Sequence, residues 1–128
     1  KNIAPQPIEN ALRQNAIVEH ACVIGDRRQY LVALLTLDRD ELAEWANAHG
    51  VRAGAGESLE THPSVRDYVE AHVERVNAEQ AKYATIKRFD ILSETFDVAN
   101  GTLTPTMKLR RRQISDVYAE QIDGLYAP

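Results

Sequence analysis

Four cations crowd into five residues near the end of the chain: Lys108, Arg110, Arg111 and Arg112. They fall at or just before a segment whose apolar residues Ile114, Val117, Tyr118 and Ile122 recur at helical spacing, which predicts a last helix over residues 109–122. A helix N-terminus carries partial positive charge, and each exposed cation beside it costs about 0.3 to 1 kcal/mol. Stability alone would place acids there. Cations beside unpaired helix N–H groups instead make a place where a phosphate or similar anion is stabilised from several directions, which points to an anion site around Lys108. The alternative is a solvated face, with Asp90, Asp97, Asp116 and Glu120 neutralising the arginines and Lys108 an ordinary loop lysine.

The segment ahead of the cluster, Asn100-Gly101-Thr102-Leu103-Thr104-Pro105-Thr106, combines a glycine free to take positive φ, threonines able to cap, and a φ-locked proline. Such a loop holds a following side chain at a defined reach, although an ordinary strand-to-helix connection would read the same way. The charge is uneven around it. Residues 82–112 hold seven Lys or Arg against three Asp or Glu, while the whole chain has a formal net charge of −4.

Other reactive residue types carry less. His20, His49, His62 and His72 lack metal-ligand spacing, and His49 falls at a helix C-terminus where a cationic ring is favourable. A metal site is not expected. Cys22 sits in an apolar run and reads as a small core residue; as a single cysteine it has no internal disulfide partner, which favours a reducing, cytoplasmic setting. Trp45 reads as core. Nothing marks a nucleophile elbow.

Length and composition bound the elements that must position these groups. With 128 residues and 44% hydrophobic content, the chain suits one small domain with a real core. No apolar run approaches the roughly 20 residues that span a bilayer. Residues 5–15 fit a short helix with proline in its first turn. Residues 21–24 and 30–37, separated by Gly25-Asp26-Arg27-Arg28, should pair as a hairpin. Asp38 and Glu41 have capping-box spacing ahead of a helix that stops at Gly50. Pro63 opens a long amphipathic helix ending near Lys82, residues 86–92 read as a third strand, and an irregular segment leads to the last helix. Three strands with about four helices, each with one apolar face to bury, predict a small α+β domain.

Two end segments then make the chain recognisable. Lys1-Asn2-Ile3-Ala4-Pro5-Gln6-Pro7-Ile8-Glu9 resembles the segment after the hinge of AMP-forming synthetases, with its Ile-x-Pro-x-x-Ile-Glu pattern. Gly101-Thr102-Leu103-Thr104-Pro105-Thr106-Met107-Lys108-Leu109-Arg110-Arg111 is similar to the closing motif of the long-chain acyl-CoA synthetase branch of the adenylate-forming superfamily. Val23-Ile24-Gly25-Asp26, Tyr30 to Leu34 and Ile122 to Tyr126 resemble that family's central hairpin and tail, so the likeness covers the whole chain. The commoner superfamily pattern has serine and glycine before the lysine; Thr106 and Met107 stand there instead, as in the long-chain branch.

The resemblance implies a C-terminal lid domain over residues 1–128, a piece of a longer enzyme and inactive alone, in keeping with a chain that starts without methionine. It implies that Lys108 is the catalytic lysine of adenylation. It also makes Lys1, Thr104, Arg27, Arg28 and Arg110 candidate cofactor-binding residues, with Lys1 near the hinge and Arg27 and Arg28 open either to coenzyme A phosphates or to a solvated turn. The full-length enzyme would use ATP, Mg2+, coenzyme A and a fatty acid, with its own N-terminal domain as partner, none bound to this piece alone. It would be cytoplasmic, with peripheral membrane association open to it. Two other classes are weighed against this: a phosphate- or nucleic-acid-binding module on the Lys108–Arg112 patch, disfavoured by the acidic remainder and lack of interleaved aromatics, and a non-catalytic interaction domain.

Overall fold

The computed structural model describes residues 3–128 and has the expected α+β build, with a three-stranded sheet and five α-helices among those residues. Helix α1 spans Pro5–Leu12. Strands β1 (Val18–Ile24) and β2 (Leu31–Leu37) pair antiparallel through the turn at residues 25–30. Helix α2 (Arg39–Ala48) starts where the Asp38 carboxylate accepts from Glu41 N–H at 2.9 Å, and the chain leaves it through Gly50 at φ 65°. Helix α3 spans Pro63–Ala78, β3 Ile86–Ile91, α4 Arg111–Val117 and α5 Ala119–Tyr126.

The sheet order is β1-β2-β3, with β3 parallel to β2. The central strand is therefore covered on both faces, and all seven of its residues are buried. Residues Leu31, Ala33, Leu35 and Leu37 face a core completed by Ile8 and Leu12 of α1 and Val65, Val69 and Val73 of α3. Val32 and Leu34 face a second core with Phe96, Leu103, Ile114, Tyr118 and Ile122. A strand buried on both sides reads as continuous apolar residues rather than an alternation, which is what LVALLTL does.

Helix α1 stops at Leu12 rather than at residue 15, β1 begins at Val18 rather than at residue 21, and three further expectations need correction. The long helix ends at Ala78, not Lys82, because Asn77 turns its amide to the strand: its side chain donates to Ile86 O (2.9 Å) and accepts from Ile86 N–H (2.8 Å). The last helix is two helices broken at Tyr118, whose ring is buried beside Phe96. The break turns α5 back to the hairpin, where the Tyr126 hydroxyl lies 2.6 Å from Tyr30 O and 3.2 Å from Ile24 O. Trp45 is only partly buried, at the margin of the core against His49 and Tyr68.

Candidate anion-binding strap and adjoining cleft

Lys108 closes a small hairpin. Leu103 and Leu109 form an antiparallel bridge. Inside it Thr104 N–H donates to Lys108 O (2.8 Å) and Met107 N–H to Thr104 O (2.8 Å), while outside it Arg110 N–H donates to Thr102 O (2.9 Å). The loop is thus three residues, Pro105 to Met107, with Met107 at φ 67°. A turn followed by one left-handed residue is a common way to close such a loop without splaying its arms. The Thr104 hydroxyl accepts from Lys108 N–H at 3.1 Å and lies 3.1 Å from the Thr106 hydroxyl.

The strap's base is fixed harder than its tip. Thr102 and Leu103 are 1% exposed. The Thr102 hydroxyl accepts from Asp97 N–H (2.9 Å), Asn100 N–H donates to the Asp97 carboxylate (2.6 Å), and Gly101 takes φ 79° to close this turn. Leu103 in the second core and Thr102 in the turn hold a rigid root. Pro105, Thr106, Met107 and Lys108 are exposed beyond it. Among the described residues, Lys108, Arg110 and Arg112 make no ion pair. The acids expected to neutralise the cluster do not do so: Asp90 pairs with Arg66 at 3.8 Å, and the Arg111 partner is Glu9.

Glu9 was legible only as part of a motif, without a role. In the structure it is 4% exposed and takes both guanidinium nitrogens of Arg111 at 2.6 and 2.7 Å. It also accepts Val23 N–H at 2.8 Å. The clue in the sequence is a carboxylate next to Ile8 on a helix face that otherwise buries apolar residues. The hydrogen bonds that Arg111 donates to Glu9, the largest influence, raise the Arg111 pKa above its ordinary value.

A cleft of about 1060 Å³ lies between the hairpin turn and α4, with Arg27, Arg28, Arg111 and Arg112 on its walls beside Asp26, Asp116 and Asp123. Neither Lys108 nor Thr104 lines it, so the candidate residues divide between two places. Arg27 sits exposed at the turn with φ 58° and makes no ion pair among the described residues. Arg28 is engaged: it donates to Asp123 at 3.0 Å, and its guanidinium lies 4.5 Å from the centre of the Tyr126 ring. Arg110 is the residue before α4 and caps it with no side-chain bond. Lys1 lies outside the described residues.

Elsewhere, His72 is buried with Nε2 2.7 Å from Leu12 O, and the His62 ring accepts Ser64 N–H at 3.0 Å to cap α3. His49 stays at the end of α2, its Nδ1 2.8 Å from Trp45 O. Burial pushes the Cys22 thiol up to about 12. Among the described residues no group of three or more His, Cys, Asp or Glu comes together as a metal centre would require, and no helix is long and apolar enough to cross a membrane.

The site is thus a three-stranded α+β unit that exposes a lysine on a hydrogen-bonded strap. Over residues 1–128 the chain matches, and belongs to, the AMP-binding enzyme C-terminal domain family. It is 32% identical over 127 residues to the long-chain-fatty-acid–CoA ligase FadD15 of Mycobacterium tuberculosis, covering 98% of this chain and 21% of that protein. It is 38% identical over 128 residues to the putative fatty-acid–CoA ligase fadD11 of the same organism, covering 99% and 22%. A third relative is the peroxisomal long chain acyl-CoA synthetase 6 of Arabidopsis thaliana, 32% identical over 127 residues, at 97% and 18%. The chain spans about a fifth of the length of these curated relatives. Among solved structures, the adenylation domain of a carboxylate reductase from Mycobacterium chelonae shares the fold, with a TM-score of 0.73 at 23% identity over 98% of this chain and 18% of that one.

Proposed function

We propose that this chain is the lid domain of an AMP-forming long-chain fatty acid–CoA ligase and that Lys108 is its adenylation lysine. The observation that carries this is the exposed Lys108 side chain, held on a strap with a buried root and without an ion pair among the described residues. Relatives over the whole chain that are named as fatty-acid–CoA ligases supply the substrate class. An ammonium is a compact point charge on a flexible stem, suited to meet an anion presented by another body.

In adenylation the carboxylate attacks the α-phosphate of ATP and pyrophosphate departs. Lys108, docked against the N-terminal body, would stabilise the charge that builds on the reacting phosphate and carboxylate oxygens. Mg2+ would arrive with the nucleotide. In a second placement the domain would turn, withdrawing Lys108 and bringing the segment around Lys1 toward the thiol path. The walls of the cleft at Arg27 and Arg112, which make no ion pair among the described residues, then offer guanidinium groups suited to coenzyme A phosphates, with Arg28 already held by Asp123. Thr104 acts through the strap and Arg110 adds positive potential beside it. Because fatty acids partition into lipid, the full-length enzyme would work in the cytoplasm at or near a membrane surface.

The test is Lys108→Ala in the full-length enzyme with the two half-reactions assayed apart. Adenylation should fall by about 10²- to 10³-fold, the scale of removing one charge-stabilising group, while thioester formation from supplied acyl-adenylate persists. Equal loss of both halves would remove Lys108 from the assigned role.

A further inference from the structure

The three-residue loop needs a left-handed residue at its end, and Met107 fills that position where glycine would do so at less cost. Its φ of 67° lies in the left-handed region, where a side chain is strained and glycine is not. Met107 is 60% exposed, so most of its surface is left uncovered by the domain. Gly50, Gly56 and Gly101 occupy comparable positive-φ positions elsewhere in the chain. The only other non-glycine residue at positive φ among the described residues is Arg27, on the wall of the cleft. A side chain kept at a position where glycine would relieve the strain is a candidate for a contact made outside the domain. The contact is local to Lys108, because Met107 is the last loop residue before it and the two share one hydrogen-bonded turn.

Resting on the reading of Lys108 above, we propose that Met107 is a positioning residue. When the strap docks, its thioether side chain packs on the body that presents the nucleotide and keeps water from the Lys108 ammonium and the phosphate it meets. A charge contact gains strength as water is excluded from it. An unbranched, polarizable side chain fits an irregular wall without demanding one shape. Pro105 and Thr106 complete the exposed tip but have neither the length nor the apolar surface for this cover.

The proposal reverses the usual link between stability and activity, and three variants of the full-length enzyme test it. Met107→Gly removes the strain with the side chain, so the melting temperature should stay level or rise while adenylation kcat/KM falls about tenfold, the scale of one lost apolar contact. Met107→Ala, which keeps the strained turn without the cover, should lose as much. Met107→Leu should stay within about threefold of the parent, since near-isosteric apolar swaps are tolerated. Thioester formation from supplied acyl-adenylate should be unchanged in all three. Wild-type adenylation in Met107→Gly overturns the proposal, as does a loss confined to Met107→Gly, which would mean only a loosened turn, or a Leu variant as poor as Ala. Lys108→Ala run alongside separates the two ideas: if it adenylates normally the reading of Lys108 fails, whereas loss there with intact Met107→Gly sinks only the cover.

Discussion

The carboxylate of Glu9 and the guanidinium of Arg111 meet around the outer edge of β1, where Glu9 accepts Val23 N–H at 2.8 Å and Arg111 reaches Val23 O at 3.4 Å. An edge strand leaves backbone groups unpaired, and this pair covers them at one residue. It also joins α1, on one face of the sheet, to the first turn of α4, on the other. The strap that carries Lys108 leads directly into that turn.

Breaking the pair should therefore be felt in stability. Glu9→Gln puts an amide N–H group against the guanidinium and should cost about 2 to 3 kcal/mol, short of a wholly buried pair because the Arg111 side chain is 41% exposed and screened. Arg111→Lys, which keeps the charge but not the two-pronged geometry, should lose less. Urea unfolding midpoints of the 128-residue chain measure both, and an unshifted midpoint for Glu9→Gln would show the pair to be idle.

Thr104→Val removes the hydroxyl that accepts Lys108 N–H while keeping the side-chain shape. About 1 kcal/mol of strap stability should go with it, and adenylation should drop less than in Lys108→Ala. Thr104→Ser should restore both, read as unfolding free energy and single-turnover adenylation.

The buried thiol of Cys22, with its pKa pushed to about 12 by burial, should be unreactive toward an aromatic disulfide reagent at pH 8 in the folded chain. Labelling should follow the unfolding rate and become immediate in denaturant. Rapid labelling of the native chain would contradict the packing of β1.

His20 has its pKa lowered, chiefly because burial disfavours the charged ring. The unfolded chain therefore binds the extra proton first, and this part of the stability, complete above about pH 6.5, drains away as pH falls toward the folded-state value. Two-dimensional NMR titration should give His20 a midpoint under 6.5, and His20→Asn should flatten the stability profile below about pH 6.5. A midpoint above 6.5 would reverse the sign.

The parts of this fold that could be read from sequence are those decided within a few residues. Pro5 and Pro7 start α1, the Asp38 side chain meets Glu41 N–H, and the apolar spacing of Val65, Val69, Val73 and Val76 sets the buried face of α3. What could not be read depends on partners far along the chain. Asn77 ends α3 by bonding Ile86, Tyr118 breaks the last helix because its ring is wanted beside Phe96, and Glu9 meets Arg111 across 102 positions. The same division runs through the site. Lys108 and its cationic neighbours stood out by type and spacing, and so did the left-handed freedom of Gly101. That Arg111 is bound into the frame follows only from where α1 places Glu9.

Strand β2 has no solvent face, and side chains from both layers lock into it. The two layers are also joined around β1 by Glu9 and Arg111, which tie the first helix to the turn that the strap leads into. A turn of the domain of the kind proposed above would therefore carry α1 and the root of the strap together.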